Sequence, residues 1–439
     1  MTLLVISPDY ASHLLPLATL ATSWRDAGER VVVATGPATA AIVESFGYER
    51  IDLRLGRGSN PGTIKPEDQP PGEDDALRGF FDATRLGMIE TLEFQARARL
   101  TDLMWQPVET ARAVLAVIEA VRPTAIIVDH LAFSARLAMV AGRIAHVDVV
   151  LGHPSALPSL DEVYGFPPAW PAAFTPSAGE LAELRALCDE VSANFTAEWN
   201  GALSVLAPEL PASPSAFEEH GDLVLYNYPG ELSPAERPLP PHVFLGSAVR
   251  EEPADDEVAA WIGASGEPFV YVSFGSFLSV RGDVLGRVAD ALRERGLRAA
   301  IATGSSSPDV LGAVPGDWLV RGFLPQVTLL RSASAAVTHA GNNSVTEALT
   351  FGVPLVALPF STDQFAGAAA LEQNGYGVAL APNTATVAEL AGALDRVLGM
   401  PRDALNALSR SLRYAPGASR AREAVTSWSI DSGLDAASR

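Results

Sequence analysis

The sequence predicts an α/β protein built from two doubly wound parallel sheets. Three observations lead there. Its 439 residues exceed the size at which one hydrophobic core usually stops growing. Short apolar runs alternate with longer stretches of helical period, the pattern of parallel sheets crossed by helices. A proline-dense stretch, from Tyr228 to Pro241, divides that alternation in two.

In the first half, Leu3–Ser7, Arg30–Thr35 and Ala125–Val128 read as buried strands, and Leu14–Ala27 as a helix closed by Gly28. Leu55–Asp75, rich in glycine, proline and charge, reads as a loop. So does Pro154–Pro176, where Tyr164, Phe166, Trp170 and Phe174 either line an apolar pocket or pack under the loop. In the second half, Phe269–Phe274, Leu297–Ala302, Ala335–Thr338 and Leu355–Leu358 are strand-like. Helical segments fall around Asp283–Arg295, Ser344–Thr350 and Asp363–Asn374. The expected division is a first domain over 1–228, a linker over 229–241 and a second domain over 242–411, followed by a carboxyl-terminal segment, 412–439.

Composition narrows the function. With 31 Lys+Arg against 52 Asp+Glu the net charge is -21, which disfavours nucleic acid or an anionic membrane as the main partner. The lone Cys188 excludes an intramolecular disulfide and any cysteine-built metal site, and fits a reducing compartment. The start, Met1 to Asp9, reads as a strand and not as a signal peptide, and no apolar run is long enough to span a bilayer. A soluble, cytoplasmic protein is expected. Lys65 is the only lysine and lies among prolines and glycines, so neither a Walker loop nor a pyridoxal Schiff base has a candidate. There is no G-x-G-x-x-G after a strand, no H-E-x-x-H and no D-x-D that could hold a metal on a sugar diphosphate.

The most informative stretch runs from Phe323-Leu324-Pro325-Gln326 through His339-Ala340-Gly341-Asn342-Asn343-Ser344-Val345-Thr346-Glu347, then Gly352-Val353-Pro354, Pro359 and Asp363-Gln364. A strand ends at Thr338, a turn of small residues follows, and a helix begins near Asn343 or Ser344. That arrangement offers free backbone N–H groups to a diphosphate, and Gly341 allows close approach. Ser344-x-x-Glu347 also has the spacing of a capping box, which alone would account for both residues.

Over about forty residues, with spacing kept, this stretch resembles the nucleotide-sugar signature of the family 1 glycosyltransferases. These are inverting enzymes of the GT-B fold, in which two Rossmann-like domains face a central cleft. The resemblance implies that Phe323 stacks on the base and Gln326 bonds base or ribose. It gives the diphosphate to His339, Asn343 and Ser344, with Ser276 as a second contact. Glu347 would hold the ribose, and Asp363 and Gln364 the sugar. Phe323 stands where the family has tryptophan, and Asn342 where tryptophan often precedes N-S, which leaves uracil or thymine and the exact sugar open.

His13, in Ser12-His13-Leu14-Leu15-Pro16, follows the first strand, and Asp129 ends the Ala125–Val128 run. Both therefore fall at the carboxyl ends of strands, where open α/β sheets place their sites. Neutral imidazole can take a proton from a hydroxyl near neutral pH, and a carboxylate can orient it. The family pattern is similar to both positions and implies a base–orienter pair, with Ser12 replacing a glycine. His130 reads as structural, and His146 and His153 receive no role.

The resemblance further implies a hydrophobic small-molecule acceptor on the first domain, with Phe81, Met104, Trp105 and Trp170 as candidates. By helical spacing most aromatics of this region, Phe80 and Phe94 among them, belong to the core. The donor would be a UDP- or dTDP-linked hexose on the second domain, and the last segment a helix returning to the first. No metal or other cofactor is expected. The arginine-rich basic set suggests a bacterial source and a secondary-metabolite acceptor. Rival readings are a GT-B sugar-nucleotide epimerase or hydrolase, and an inactive auxiliary subunit.

Overall fold

A computed structural model describes residues 1–62, 69, 72–100, 103–234 and 237–431. Lys65 and the last eight positions lie outside the described residues. The first sheet contains β1 (Thr2–Ile6), β2 (Arg30–Thr35), β3 (Glu49–Asp52), β4 (Ala125–Asp129), β5 (Val147–Val150), β6 (Leu223–Tyr226) and β7 (His242–Phe244). They lie in the order β3-β2-β1-β4-β5-β6-β7. The second contains β8 (Phe269–Ser273), β9 (Arg298–Ala302), β10 (Leu319–Arg321), β11 (Ala335–Thr338), β12 (Leu355–Ala357) and β13 (Gly377–Ala379), in the order β10-β9-β8-β11-β12-β13. Every pairing of named strands is parallel.

The interior strands are largely apolar because helices cover both faces. In β1, Leu4 and Ile6 enter one core while Leu3 and Val5 enter another. The second sheet divides likewise, with Phe269 and Tyr271 on one side of β8 and Val270 and Val272 on the other. Strand order reverses between β1 and β4 in one sheet and between β8 and β11 in the other. A crevice opens at such a switch point, beyond the carboxyl ends of the strands. His13 and Asp129 follow the first pair of strands, and Ser276 and His339 the second.

Three boundaries differ from expectation. The segment 229–241 is not a passage between domains: it joins β6 to β7, which pair Val224 to His242 and Tyr226 to Phe244 within one sheet. Its prolines sit in the crossover, where no ladder bond is required, and the chain leaves the first sheet only after Phe244. The first helix spans Ala11–Asp26, so His13 stands on its opening turn and not in a loop. Its start is pinned by the glycine-rich loop, since Ala11 N donates to Asn60 O at 2.7 Å and Asn60 N to Asp9 O at 2.9 Å. At the carboxyl end, helix Asp403–Tyr414 runs past 411 before the chain turns. Helix Gly417–Asp431 then returns to the first sheet, burying Ala421 and Val425 beside Leu14 and Leu17, with Arg422 paired to Glu29 at 2.6 Å.

In the irregular stretch after β5 the aromatics pack on one another and on the core. Tyr164 stacks on Phe217 with ring centres 3.9 Å apart, Phe166 meets Trp170 edge-on, and Phe174 meets Phe365 across the domain boundary.

Candidate active site

His13 Nδ1 lies 2.7 Å from Asp129 Oδ2. Asp129 is wholly buried, while the His13 side chain keeps 24% of its surface exposed. The second Asp129 oxygen accepts the Leu131 N–H at 2.9 Å, which fixes the carboxylate. Burial pulls the His13 pKa down, but the charge and hydrogen bond of Asp129, with Asp363 beyond, outweigh it and leave the pKa above the ordinary imidazole value. Burial pushes the Asp129 carboxyl up, but His13, with His130 and the Leu131 N–H, outweighs it, so it ends below its ordinary value. The arrangement orients one ring nitrogen and leaves the other to accept a proton.

Beside His13 is a cavity of about 230 Å³. Leu55, Leu103, Trp105, Leu131 and Phe133 supply its apolar wall, and Tyr10, Arg57 and Glu73 part of its polar rim. Of the four acceptor candidates only Trp105 lines it. Phe81 is buried with Leu77, Met104 sits in the main core of the first domain, and Trp170 packs against that core. Their apolar area is spent on packing because each lies on a face covered by neighbouring elements. Of the remaining apolar lining, Leu55, Leu103 and Leu131 lie outside helices and strands, where no periodicity marked them, and Phe133 opens helix Phe133–Gly142.

Across the boundary, helix Asn342–Thr350 begins with Gly341 at its N-cap and carries no side-chain cap. Its first N–H groups are therefore not taken up by a side chain. The capping-box reading fails: Ser344 lies inside the helix and Glu347 reaches elsewhere. His339 sits between two glycines. A Cβ on Gly275, where φ is +67°, would come within 2.7 Å of its ring, and a Cβ on Gly341 would collide with it. His339 Nδ1 is buried without a partner, and burial lowers the pKa to about 4, so the ring is neutral near neutral pH.

The other donor candidates divide. Gln326 Nε2 donates to Glu347 Oε2 at 2.6 Å, and Ser344 Oγ approaches Gln326 Oε1 at 3.4 Å. Glu347 is 2% exposed and its other oxygen accepts Arg250 Nη1 at 2.7 Å, so both oxygens already have partners within the chain. Phe323 is 77% exposed. Ser276 Oγ receives a 3.4 Å bond from Asn60 of the first domain. Gln364 turns inward: its Oε1 accepts the N–H groups of Phe360 and Ser361, which have no strand partner in that turn. Asn343 and Asp363 reach across the boundary, to Ser12 O at 2.9 Å and His153 N at 2.7 Å. His153, given no role from sequence, thus helps to join the domains. His130 is buried, and its pKa is lowered to about 4 by that burial. Among the described residues no group of three His, Cys, Asp or Glu is placed to hold a metal ion, and no helix is long and apolar enough to cross a membrane.

Comparisons with known proteins bear on this site. Residues 223–413 match the family described as UDP-glucoronosyl and UDP-glucosyl transferase. The NDP-glycosyltransferase YjiC of Bacillus licheniformis is 26% identical over 44% of this chain and 49% of its own. The 4'-demethylrebeccamycin synthase of Lentzea aerocolonigenes is 30% identical over 47% of this chain and 46% of its own. The chain spans about half the length of the curated relatives it matches. Among solved structures, the spinosyn forosaminyltransferase SpnP superposes with a TM-score of 0.67 at 18% identity, covering 99% of both chains. The spinosyn rhamnosyltransferase SpnG complexed with thymidine diphosphate gives 0.62 at 20% identity, over 96% of this chain and 99% of its own. The fold is GT-B, and the chain resembles family 1 glycosyltransferases of bacterial natural-product pathways.

Proposed function

We propose that the protein is an inverting glycosyltransferase that moves a hexose from a UDP- or dTDP-linked donor to a hydroxyl of a hydrophobic small molecule. The observation that carries this reading is the His13–Asp129 pair at 2.7 Å beside a partly apolar cavity. The match of residues 223–413 to a nucleotide-sugar transferase family supports the donor half.

In this mechanism His13, held by Asp129, takes the acceptor proton as the hydroxyl oxygen attacks the anomeric carbon. The bond to the nucleoside diphosphate breaks in the same displacement. Charge growing on the leaving diphosphate is met by the N–H groups at the start of helix Asn342–Thr350 and by one N–H of neutral His339. The exposed ring of Phe323 is the platform for the base, with Gln326 beside it. The reading uses no metal.

Donor and acceptor are tested together by incubating the protein with UDP-glucose or dTDP-glucose and a fluorescent phenol such as 4-methylumbelliferone. Formation of a β-glycoside with release of the nucleoside diphosphate is expected. Release of free sugar alone would favour a hydrolase, and release of neither would favour an inactive homologue.

A further inference from the structure

Helix Ala11–Asp26 contains Pro16. Proline has no N–H, so the carbonyl of Ser12, four residues earlier, loses the helical donor it would otherwise receive. That carbonyl belongs to the residue immediately before His13. The structure supplies the missing donor from the other domain: Asn343 Nδ2 bonds Ser12 O at 2.9 Å. The neighbouring Asn342 Nδ2 bonds Leu151 O at 2.6 Å and Asn227 O at 2.9 Å, just beyond the ends of β5 and β6. Neither asparagine caps its own helix.

Resting on the glycosyltransferase reading, we infer that Asn343 is a positioning residue for the base: it holds the Ser12 carbonyl left unpaired by Pro16 and so ties the helix facing the donor to the turn that carries His13. Its amide therefore sets the spacing between base and donor more than it binds the donor. A displacement of about 1 Å at a reacting centre is enough to lower turnover strongly. Asn342 reinforces the same docking through two carbonyls of the first domain.

The test compares wild type, Asn343→Ala, Pro16→Ala and the double variant, with turnover measured on a UDP- or dTDP-glucose donor and 4-methylumbelliferone. UDP and dTDP affinities are measured in parallel by calorimetry, which also reports folding. Asn343→Ala is expected to lower kcat about tenfold or more while nucleotide affinity stays within about threefold. Pro16→Ala provides an N–H for Ser12 O within the helix, so Asn343→Ala in that background is expected to cost less than about threefold further. A large loss of nucleotide affinity with kcat unchanged would make Asn343 a diphosphate ligand and overturn the inference, as would full additivity of the two substitutions. A wild-type chain that binds nucleotide yet transfers no sugar would overturn the underlying reading, and the inference with it.

Discussion

Arg250 and Glu347 form an ion pair of 2.7 Å in which the glutamate side chain keeps 3% of its surface and the arginine side chain 18%. Gln326 takes the other Glu347 oxygen, and Glu252 takes a second nitrogen of Arg250 at 2.8 Å. The glutamate of the nucleotide-sugar signature is thus part of a network that joins the segment after β7 to helix Asn342–Thr350.

Glu347→Ala removes one of the two carboxylates that hold Arg250, leaving Glu252, and deprives the Gln326 amide of its acceptor, so it is expected to destabilise the protein by about 1–3 kcal/mol. Glu347→Gln, which keeps a hydrogen-bonding group, should cost less. Denaturant titration of the two variants checks this; equal stability of wild type and Glu347→Ala would contradict it.

The two sides of Trp105 separate binding from packing. Met104→Ala, inside the core, is expected to cost about 2–5 kcal/mol of stability. Trp105→Ala, at the cavity wall, should instead raise the acceptor KM with little change in melting temperature. Thermal denaturation beside acceptor kinetics distinguishes them.

The pH dependence follows from the dyad. His13 must be neutral to accept a proton, so turnover falls as pH drops through its raised pKa, and the acid limb lies above the ordinary value of about 6.5. The pair's contribution to stability has two limits. It is lost as pH rises through the raised His13 pKa and as pH falls through the lowered Asp129 pKa. In Asp129→Asn the opposing charge is gone while burial remains, so the acid limb should move down and turnover should fall. A pH–rate profile with an unmoved limb would contradict this.

Metal removal is a further check. Turnover in excess EDTA is expected to stay within about twofold of that with Mg²⁺, because helix N–H groups and His339 face the leaving group. A metal-restorable loss would count against that electrostatic account.

Strands β1, β2 and β4 and the interior strands of the second sheet were legible because burial on both faces makes them nearly continuous apolar runs; β5 and β6, equally buried but only four residues long, were not placed. Edge strands were not: β3 reads Glu-Arg-Ile-Asp, and β7 is three residues long behind two prolines. Site residues followed the same logic. His13, Asp129 and His339 could be placed because each ends or follows a recognisable strand. The orientations of Gln364, Glu347 and Asn343 are set by their partners at Phe360, Arg250 and Ser12 respectively. Only Phe360 is near in sequence, and its free N–H becomes visible only once the turn is built.

The central claim is that His13 is the base, and His13→Ala tests it most directly. Turnover with saturating donor and acceptor should fall by about 10²–10⁴-fold, the usual range for a general base, while UDP or dTDP affinity is unchanged. Near-normal turnover in His13→Ala would contradict the account.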